Sequence, residues 1–583
     1  MMTDRWLNYV LSVVVVLGMV GVAIYNQPRD RQERAEFLDQ ELTELEADDW
    51  EPPSDRDPVQ LQRRAEAAPV DDDEEEVVEE TELLDEYGVS ASHPVAVDVG
   101  MQVLDAGGNA VDAAVAVAYA LGVAEPFGSG VGGGGSLLLH PTEGEPRYYD
   151  YRETAPLSGE LPASDIGVPG FVAGMEHIHE QHGSLALDSL IEYAARLAED
   201  GVEVDDYLAA RLQGAAYRMP IHLLPRWFPN GTPIAAGETL HQPEYAEALR
   251  MIQEQGAEVM YTGELAEQIA DTVGGLELED LAAYEVLETE PAVGSFAGRR
   301  IVSGGAPVSG PPVIQLLQIA DAGGIADLDP YGVDGIHLMA QAWRAANDQR
   351  SAFVGDPSME DVDLDALLDP AYTQALADAI PDDGFVPVGE DEGAISFETD
   401  TTHVVVVDRD GNVVSMTNTL SNFFGSGLPV SGFFLNDQLK NFDPEPDSIN
   451  AIAPGKRPRS FVTPTVVLDD QDRPELAIGS PGGRRIPNIV AQVIVRWAAH
   501  GQPLEEAIMG PRFHLERSRL ELEESVGGDA SSQLAARGYE VTTQVPTTEY
   551  FGGVQALRID WDQRTIEGAD DTRRTGTWAS GGG

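Results

Sequence analysis

The amino-acid sequence predicts an α+β fold in which β-sheets are covered by layers of helices. Helical patterns dominate residues 171–380, whereas residues from 401 onward are typical of strands joined by turns. A buried helix and two strands precede the helical region, and a strand pair and a helix follow the first hairpin. This order lacks the strand–helix–strand repeats of a doubly wound parallel sheet and favours separate sheets covered by helices.

The N-terminal part predicts a membrane anchor over residues 1–28. Residues 6–25 carry no charge and have Trp6 and Tyr25 at their ends, and about 20 apolar residues span the hydrocarbon core of a bilayer. A cleaved signal peptide is the alternative, although no clear cleavage site follows. Residues 29–86 predict an acidic, disordered stalk, because they contain the run DDDEEE and blocks of like charge repel one another.

The first globular elements surround a glycine-rich stretch. Residues 107–123 predict a buried helix capped by Asn109, with Asp112 near the positive end of its dipole. Residues 128–133 match G-x-G-x-x-G, and residues 147–156 predict a strand beyond them. A dinucleotide site needs a strand, a glycine turn and then a helix, whereas the order here is helix, glycine, strand. We therefore interpret these glycines as a place of close backbone packing.

The β-rich part contains two predicted strand pairs and a helix. Residues 401–419 hold two strands around the turn residues RDGN, which is a strong hairpin signal. Residues 463–470 and 474–483 predict a second pair, and residues 486–501 predict a helix that ends on a glycine.

The charge of the chain is unusual for its length of 583 residues. Acidic residues number 101 against 35 basic ones, which gives a formal net charge of −66, and only Lys440 and Lys456 are lysine. Because acid is spread along the whole chain, we interpret it as adaptation to high salt, where a Debye length of about 3 Å screens the self-repulsion. A surface for a basic partner is the alternative. Nucleic acid is not an expected partner, because it is itself a polyanion.

Cysteine and histidine give no indication of a metal or other cofactor. The chain has no cysteine, which excludes disulfides, thiolate nucleophiles and cysteine-based metal centres. His177, His179 and His182 are clustered, but their spacing differs from the zinc-binding H-E-x-x-H motif. We interpret them as one polar face of a helix and expect no cofactor.

Thr401 stands where an uninterrupted β-pattern begins after a polar, acidic approach. An internal threonine hydroxyl is a poor nucleophile without a base. Cleavage of the Asp400–Thr401 bond would place an α-amine, with an ordinary pKa of about 7.7–8.0, on the same residue as the hydroxyl. That amine would accept the hydroxyl proton. The alternative is an ordinary strand start, since strands often begin with threonine.

A second feature suits the same chemistry. Residues 479–483, GSPGG, follow a predicted strand and offer consecutive backbone N–H groups that could converge on an oxyanion. A simple turn is the alternative. No G-x-S-x-G nucleophile elbow occurs in a strand–turn–helix context, so a serine hydrolase of that kind is not expected.

Several motifs together resemble the γ-glutamyltranspeptidase family. They are TTHVVVVDRDGNVVSMTNT, GSPGGRRI, GGNAVDAAVAVAYALGV, DYRETAP, GVPGFVAGM and GPRFH, in family order over residues 88–570. The resemblance implies an N-terminal nucleophile hydrolase fold, an αββα sandwich formed from two subunits after autocatalytic cleavage. The large subunit would comprise residues 87–400, ending at Asp400, and the small catalytic subunit residues 401–583.

The resemblance also assigns catalytic roles. Thr401 corresponds to the nucleophile of both autocleavage and acyl transfer, and Thr419 to the threonine whose hydroxyl supports it. Gly482 and Gly483 correspond to the glycines of the oxyanion hole.

Three further residues correspond to substrate-binding positions of the family. Arg152 corresponds to the arginine that holds the substrate α-carboxylate, a role that suits a guanidinium because it pairs bidentately with carboxylates. Ser460 corresponds to one of two adjacent serines that bind the same carboxylate. Gln438 lies in the segment that helps bind the substrate α-amine.

Three positions in the expected binding site depart from the family pattern. Ser421 stands where asparagine is expected, Asn441 where aspartate is expected, and Phe461 in place of the second serine. The first two positions would normally hold the ammonium group, and a lost charge-assisted hydrogen bond costs about 1.5–3 kcal/mol. Phe461 makes the pocket wall more apolar. Residues 443–456 resemble the lid that some members possess.

The resemblance implies an amidohydrolase or acyltransferase acting on γ-glutamyl amides such as glutathione-like compounds, with release of the acyl group to water or an amine. A glutaryl or cephalosporin-like side chain, or poly-γ-glutamate, is an alternative substrate. An alternative of another class is a non-catalytic, membrane-tethered surface protein with the stalk as a spacer. By analogy with the family, the catalytic part would lie outside the cell, attached to the membrane through the N-terminal helix.

Overall fold

The computed structural model describes residues 59–64, 83–387, 399–523, 526, 528–545 and 549–582. The predicted anchor of residues 1–28 and most of the predicted stalk lie outside these ranges. Within the described part of the chain, no helix is both long enough and apolar enough to cross a membrane.

The strands, numbered in chain order, have the following bounds: β1 Glu86–Ala91, β2 Gly134–His140, β3 Arg147–Tyr151, β4 Val202–Glu203, β5 Thr239–Leu240, β6 Leu287–Thr289, β7 Ala292–Phe296, β8 Arg299–Ser303, β9 Thr399–Val407, β10 Val413–Asn422, β11 Pro429–Val430, β12 Phe433–Phe434, β13 Thr465–Leu468, β14 Pro474–Gly479, β15 Phe513–Glu516, β16 Arg519–Glu523, β17 Glu540–Gln544, β18 Gln555–Asp560, β19 Thr565–Gly568 and β20 Thr577–Gly582.

The α-helices have the following bounds: α1 Pro94–Asp105, α2 Ala110–Ala124, α3 Phe171–His182, α4 Leu187–Asp200, α5 Asp206–Ala215, α6 Pro243–Gln255, α7 Glu258–Tyr261, α8 Glu264–Thr272, α9 Leu278–Ala282, α10 Gly310–Ala322, α11 Val333–Phe353, α12 Leu364–Leu367, α13 Pro370–Asp378, α14 Ile486–Ile494, α15 Leu504–Met509 and α16 Gly528–Ala536.

Two antiparallel sheets form the centre of the molecule. The first has seven strands in the order β20-β1-β9-β10-β2-β3-β6, and the second has six in the order β19-β18-β14-β13-β8-β7. The predicted hairpin of residues 401–419 is confirmed as β9 and β10, which pair with Val405 opposite Ser415 in the middle of the first sheet.

Alternate side chains of β9 face two different cores, because successive residues of a strand point to opposite sides. Val404 and Val406 pack with helices α1 to α4, whereas Val405 and Val407 face the second sheet. A third core lies between the second sheet and helices α10, α11 and α14. The layers are therefore helix, sheet, sheet, helix, and the predicted α+β fold of the αββα type is confirmed.

The glycine-rich stretch between α2 and β2 is a place of close backbone packing, as predicted. A Cβ added at Gly132 would lie 2.1 Å from the carbonyl oxygen of Phe434, and one at Gly133 would lie 2.3 Å from that of Thr419. Only glycine allows the backbone to approach so closely. The stretch therefore fixes the start of β2 against the end of β10.

Two parts of the chain differ from the sequence-based expectation. Strands β7 and β8 lie within the region where helical patterns dominate, and they were not predicted. Each strand is short and finds its pairing partners only in the second sheet. Val59 and Leu61 pack against the core of the first sheet, and residue 86 begins β1. Residues 59–64 and 83–86 therefore belong to the folded body, which corrects the predicted extent of the stalk.

Candidate active site

The register of the first sheet aligns several of the predicted site residues. Asn418 pairs with Thr402 across β9 and β10, so Thr419 comes beside Thr401. Thr419 pairs in turn with Gly134 on β2, and the Cα of Arg152 lies 2.8 Å from a Cβ added at Gly134. Residues directly opposite one another share a face of the sheet. Thr401, Thr419 and Arg152 thus lie in one row that faces the second sheet.

Thr401 and Thr419 are in direct contact through their hydroxyl groups. Their Oγ1 atoms lie 3.3 Å apart, and both residues are buried. The backbone N–H of Ser421 donates to Thr419 Oγ1 at 2.9 Å. Ser421 has a φ of 80°, and the pairing of β9 with β10 is interrupted between Asn418 and Ser421. This irregularity turns the Ser421 N–H toward the Thr419 hydroxyl, which contacts that of Thr401.

A neutral histidine lies two residues along the strand from Thr401. His403 Nδ1 is 2.8 Å from Thr417 Oγ1, and its Nε2 is 3.3 Å from Ser415 Oγ. Complete burial lowers the pKa of His403 to about 3. The imidazole is therefore uncharged near neutral pH and is no proton acceptor for the nucleophile. Its ring packs directly on Gly479, where a Cβ would lie 2.2 Å away.

The predicted oxyanion glycines follow Gly479 and lie beside β9. Residues Gly483–Arg485 form a short 3-10 turn that contacts this strand. Gly482 has a φ of 137° and Gly483 a φ of 58°. Residues other than glycine rarely adopt these backbone conformations. The position of the turn next to β9 is what an oxyanion hole for a nucleophile on that strand requires.

The side chain of Arg152 is occupied by a neighbouring carboxylate. Its Nε and Nη2 donate to the two oxygens of Asp150 at 3.1 and 2.7 Å, and Nη1 donates to the carbonyl of Pro458 at 2.6 Å. Arg152 is completely buried. Arg457 also approaches Asp150, with Nε 3.7 Å from Oδ1. Two guanidinium groups thus share the carboxylate of Asp150, and a second buried carboxylate, that of Asp356, accepts from the backbone N–H of Arg457 at 2.7 Å.

The predicted serine position lies beside a cation, Arg350, that was not predicted from the sequence. The N–H of Ser460 donates to the carbonyl of Pro307 at 3.2 Å, and the hydroxyl of Ser309 donates to the carbonyl of Ser460 at 2.8 Å. The guanidinium of Arg350 stacks on the ring of Phe461 at 3.8 Å. Such a stacked pair contributes about 0.5–2 kcal/mol. Phe461 thus holds Arg350 at the site.

The predicted amine-binding segment is tied to the end of β10. Asn422 donates through its backbone N–H to Asp437 at 2.9 Å and through its side chain to the same carboxylate. Lys440 Nζ lies 3.1 Å from Asp437. The carbonyl of Asn441 accepts from Asn450 at 2.7 Å. Ser421, Gln438 and Asn441 therefore lie in neighbouring segments, and the carboxylate of Asp437 in the same region is already paired.

The predicted lid of residues 443–456 is held at both of its ends. Asp443 pairs with Arg459 at 2.5 Å. Lys456 Nζ lies 2.5 Å from Glu360 and donates to the carbonyl of Ile449 at 2.7 Å. Both lysines of the chain thus lie within or next to the predicted substrate-binding segments.

Glu153 is the residue of the site that sequence reasoning missed. It is completely buried, and neither of its carboxylate oxygens has a hydrogen-bond partner among the described residues. Burial, opposed in part by its own backbone N–H and by Arg152, raises the pKa of Glu153 to about 8. The available signal was its place after Arg152 in the DYRETAP motif. Among the described residues, no group of three or more histidine or acidic side chains could hold a metal.

Comparisons with known proteins agree with this architecture. The sequence profile of the γ-glutamyltranspeptidase family matches residues 96–581. The capsule biosynthesis protein CapD proenzyme of Bacillus anthracis is 40% identical over 494 residues, which cover 85% of this chain and 90% of the relative. The glutathione hydrolase proenzyme of Bacillus subtilis (strain 168) is 33% identical over 84% of this chain and 90% of its own length.

Two further relatives carry acylase names. The acylase ACY 1 proenzyme of Pseudomonas sp. (strain SE83) is 34% identical over 84% of this chain and 92% of its own length. The crystal structure of cephalosporin acylase from Bacillus halodurans superimposes with a TM-score of 0.77 at 25% identity, over 92% of this chain and 99% of that structure.

The two stacked sheets between helical layers, with a threonine at the start of a central strand, define an enzyme of the N-terminal nucleophile hydrolase class. The match over most of its length shows that the chain belongs to the γ-glutamyltranspeptidase family.

Proposed function

We propose that the chain is an autoprocessed N-terminal threonine amidohydrolase and acyltransferase that cleaves γ-glutamyl amide bonds, with glutathione-like compounds as substrates. The contact between Thr401 and Thr419, 3.3 Å between hydroxyl oxygens at the start of β9, carries this proposal. Relatives named as glutathione hydrolase proenzymes support it. The turn that contains Gly483 contacts the strand that carries Thr401, which also supports the proposal.

The reaction begins with cleavage of the peptide bond between residues 400 and 401. This leaves the α-amine of Thr401 free, and the amine takes the proton of the Thr401 hydroxyl as its oxygen attacks the substrate amide carbon. The N–H groups of Gly482 and Gly483 stabilise the resulting oxyanion. The leaving amine then takes a proton, an ester to Thr401 remains, and water or an acceptor amine releases the acyl group. Cleavage divides the protein into a large subunit ending at Asp400 and a small subunit of residues 401–583.

The test compares two adjacent threonines. The purified protein, incubated in high salt, is examined on a denaturing gel and the smaller fragment is sequenced from its N-terminus. We expect two fragments, the smaller beginning at Thr401. Thr401→Ala is expected to stay uncut. The control Thr402→Ala, which loses a methyl group and a hydroxyl that contacts Ser129 at 2.8 Å, is expected to be cut. Cleavage of the Thr401→Ala protein would refute the assigned role.

A second candidate function is an acylase for glutaryl or cephalosporin-like side chains. The residues that favour it are Asn441, which lacks a charge for an ammonium group, and Phe461, which adds apolar surface. Relatives named as acylases share the fold and most of the chain length. Kinetics with γ-glutamyl and glutaryl p-nitroanilides distinguish the two candidates. A preference for the glutaryl compound would favour the acylase.

The proposal includes a location and a working environment. The uncharged stretch of residues 6–25 supports a single-pass anchor, and the net charge of −66 supports function in concentrated salt. The location of the catalytic part outside the cell is proposed by analogy with the family. Membrane fractionation of cells that express the full chain tests the anchor. Recovery of the intact chain in the soluble fraction would contradict it.

A further inference from the structure

His403 lies between the two sheets, on the strand that carries Thr401. The two residues are two positions apart on β9, so their side chains point to the same side of the strand, toward the second sheet. His403 is completely buried, and burial lowers the pKa of its imidazole to about 3. The proposed reaction therefore does not use this ring for proton transfer, although it lies next to the nucleophile.

The two ring nitrogens of His403 have partners of different kinds. Nδ1 lies 2.8 Å from Oγ1 of Thr417, the residue that pairs with His403 within the first sheet. Nε2 lies 3.3 Å from Oγ of Ser415. Ser415 in turn accepts from the N–H of Thr465 on β13 at 3.1 Å and donates to the carbonyl of Ile478 on β14 at 3.4 Å. Through Ser415, the ring is thus connected to both central strands of the second sheet.

A neutral imidazole fits this set of partners, because it has one N–H donor and one acceptor nitrogen. The hydroxyl of Thr417 donates to Nδ1, and Nε2–H donates to the oxygen of Ser415, whose own proton goes to the carbonyl of Ile478. In this arrangement both ring nitrogens of His403 are satisfied. The hydrogen bonds therefore fix the orientation of the ring between the sheets.

The ring of His403 occupies the space that a side chain at Gly479 would need. A Cβ added at this glycine would lie 2.2 Å from Cε1 of the ring and 2.4 Å from each ring nitrogen. Stacked sheets are about 10 Å apart, and side chains from both sheets normally fill the gap. Because Gly479 contributes no side chain, the imidazole sets the distance between β9 and the end of β14.

Gly479 leads directly into residues 480–483, the oxyanion turn. It is the last residue of β14, and the turn follows without a connecting loop. The turn also packs on residues 552 and 553: the N–H of Gly553 donates to Ser480 Oγ at 3.4 Å, and a Cβ added at Gly482 would lie 3.5 Å from the Cα of Gly552. Close contacts of the backbone thus hold the turn, and its first residue adjoins the glycine that touches the ring.

We propose that His403 is a positioning residue that sets the distance between the Thr401 hydroxyl and the oxyanion turn through its packing on Gly479. This inference rests on the proposed function. The oxyanion forms only during the reaction, so a displaced turn lowers kcat and leaves KM nearly unchanged. The contact of His403 with Thr417 stays within the first sheet and does not reach the turn.

The first experiment compares two substitutions that each keep one polar contact of the ring. The amide of His403→Asn takes the place of Nδ1 beside Thr417, and the part of the ring that packs on Gly479 is lost. The longer His403→Gln reaches the position of Nε2 and keeps the contact with Ser415. We expect kcat for a γ-glutamyl p-nitroanilide to fall about 10- to 100-fold in His403→Asn and less than about 5-fold in His403→Gln, with KM within about 2-fold, because a displacement of about 1 Å costs about 100-fold. The value of kcat is normalised to the small subunit present on a denaturing gel.

The matched control is His337→Asn. This buried histidine on α11 lies 2.7 Å from the hydroxyl of Tyr539 and 2.8 Å from the carbonyl of Pro381. We expect it to lose stability toward denaturant and to keep the wild-type kcat. A wild-type kcat in His403→Asn, a loss that appears in KM, or a smaller kcat in His403→Gln than in His403→Asn would overturn the inference. Failure of the wild-type enzyme to cleave the amide would instead refute the proposed function.

The second experiment is a double-mutant cycle with Gly482→Ala. A turn that this substitution has already displaced has little further to lose, so we expect His403→Asn to lower kcat by less than about 3-fold in the Gly482→Ala protein. Losses that multiply would show that His403 acts independently of the turn. Gly479→Ala tests the same contact with His403 intact: its methyl group presses on the ring, and we expect kcat to fall about 10-fold at constant KM. An unchanged kcat in Gly479→Ala would contradict the inference.

Discussion

Replacement of Thr419 by valine tests the chemical centre of the site. Valine has nearly the volume and branching of threonine, so the change removes a hydroxyl without opening a cavity. Two contacts are lost at once: the 3.3 Å contact with Thr401 Oγ1 and the hydrogen bond from the Ser421 N–H at 2.9 Å. The first affects the nucleophile, and the second affects the folded state.

The size of each effect follows from the group that loses its partner. The Thr401 oxygen gains negative charge as it attacks, and a hydrogen bond to a charged group contributes about 1.5–3 kcal/mol, so we expect kcat to fall about 10- to 150-fold. The buried Ser421 N–H loses its acceptor, which lowers the free energy of unfolding by about 1–3 kcal/mol. Autocleavage uses the same nucleophile and should slow by a similar factor.

Thr417→Val is the matched control. This residue is also buried on the inner face of β10, and its hydroxyl lies 2.8 Å from His403 Nδ1. We expect a similar loss of stability but little change in kcat, because the neutral His403 takes no part in proton transfer. The assays are the rate of appearance of the small fragment on a denaturing gel, kcat of the cleaved enzymes with a p-nitroanilide, and denaturant unfolding. Equal kcat values for the two variants would refute the role assigned to Thr419.

Two further predictions concern the oxyanion turn and the charge of the chain. Gly482→Ala places a side chain at a φ of 137°, 3.3 Å from Ile489 Cδ1, and we expect kcat to fall about 100- to 1,000-fold because the N–H groups shift. Gly501→Ala, at a φ of 63° in open space, is the control for backbone strain. Equal losses of kcat in the two variants would count against the oxyanion role. With a net charge of −66, the denaturation temperature should rise between 0.1 M and about 2 M KCl as the Debye length falls from about 10 Å to below 3 Å; a fall over that range would contradict salt adaptation.

Some parts of the site could be predicted because they depend on short stretches of sequence. The RDGN turn between two β-branched runs predicts the hairpin, and that hairpin places Thr419 beside Thr401. Asn109 caps the start of α2 as predicted, and the structure adds a capping box in which Asp112 accepts from the Asn109 backbone N–H. The glycines at 132 and 133 were interpreted correctly as packing residues because their order relative to helix and strand excluded a nucleotide site.

Other parts could not be predicted, because they depend on contacts between distant segments. Arg350 reaches Phe461 only after α11 packs against the second sheet. The short strands β7 and β8 form because they pair within the second sheet, and their own residue patterns do not predict them. The predicted extent of the stalk was wrong for residues 59–64, because Val59 and Leu61 are two apolar residues in a polar stretch and their packing partners lie in distant parts of the chain.

The sequence by itself determined the hairpin, the fold class and the candidate nucleophile, since spacing and residue type set local hydrogen bonding and the motifs occur in family order. Only the tertiary structure decided which polar groups were left unpaired. The guanidinium of Arg152 is bonded to Asp150 and to the carbonyl of Pro458, whereas the carboxylate oxygens of Glu153, its neighbour in the chain, have no hydrogen-bond partner among the other side chains that the structure describes. Whether a buried polar group finds a hydrogen-bond partner depends on all the residues that pack around it. That environment exists only once both sheets and residues 436–438 have come together.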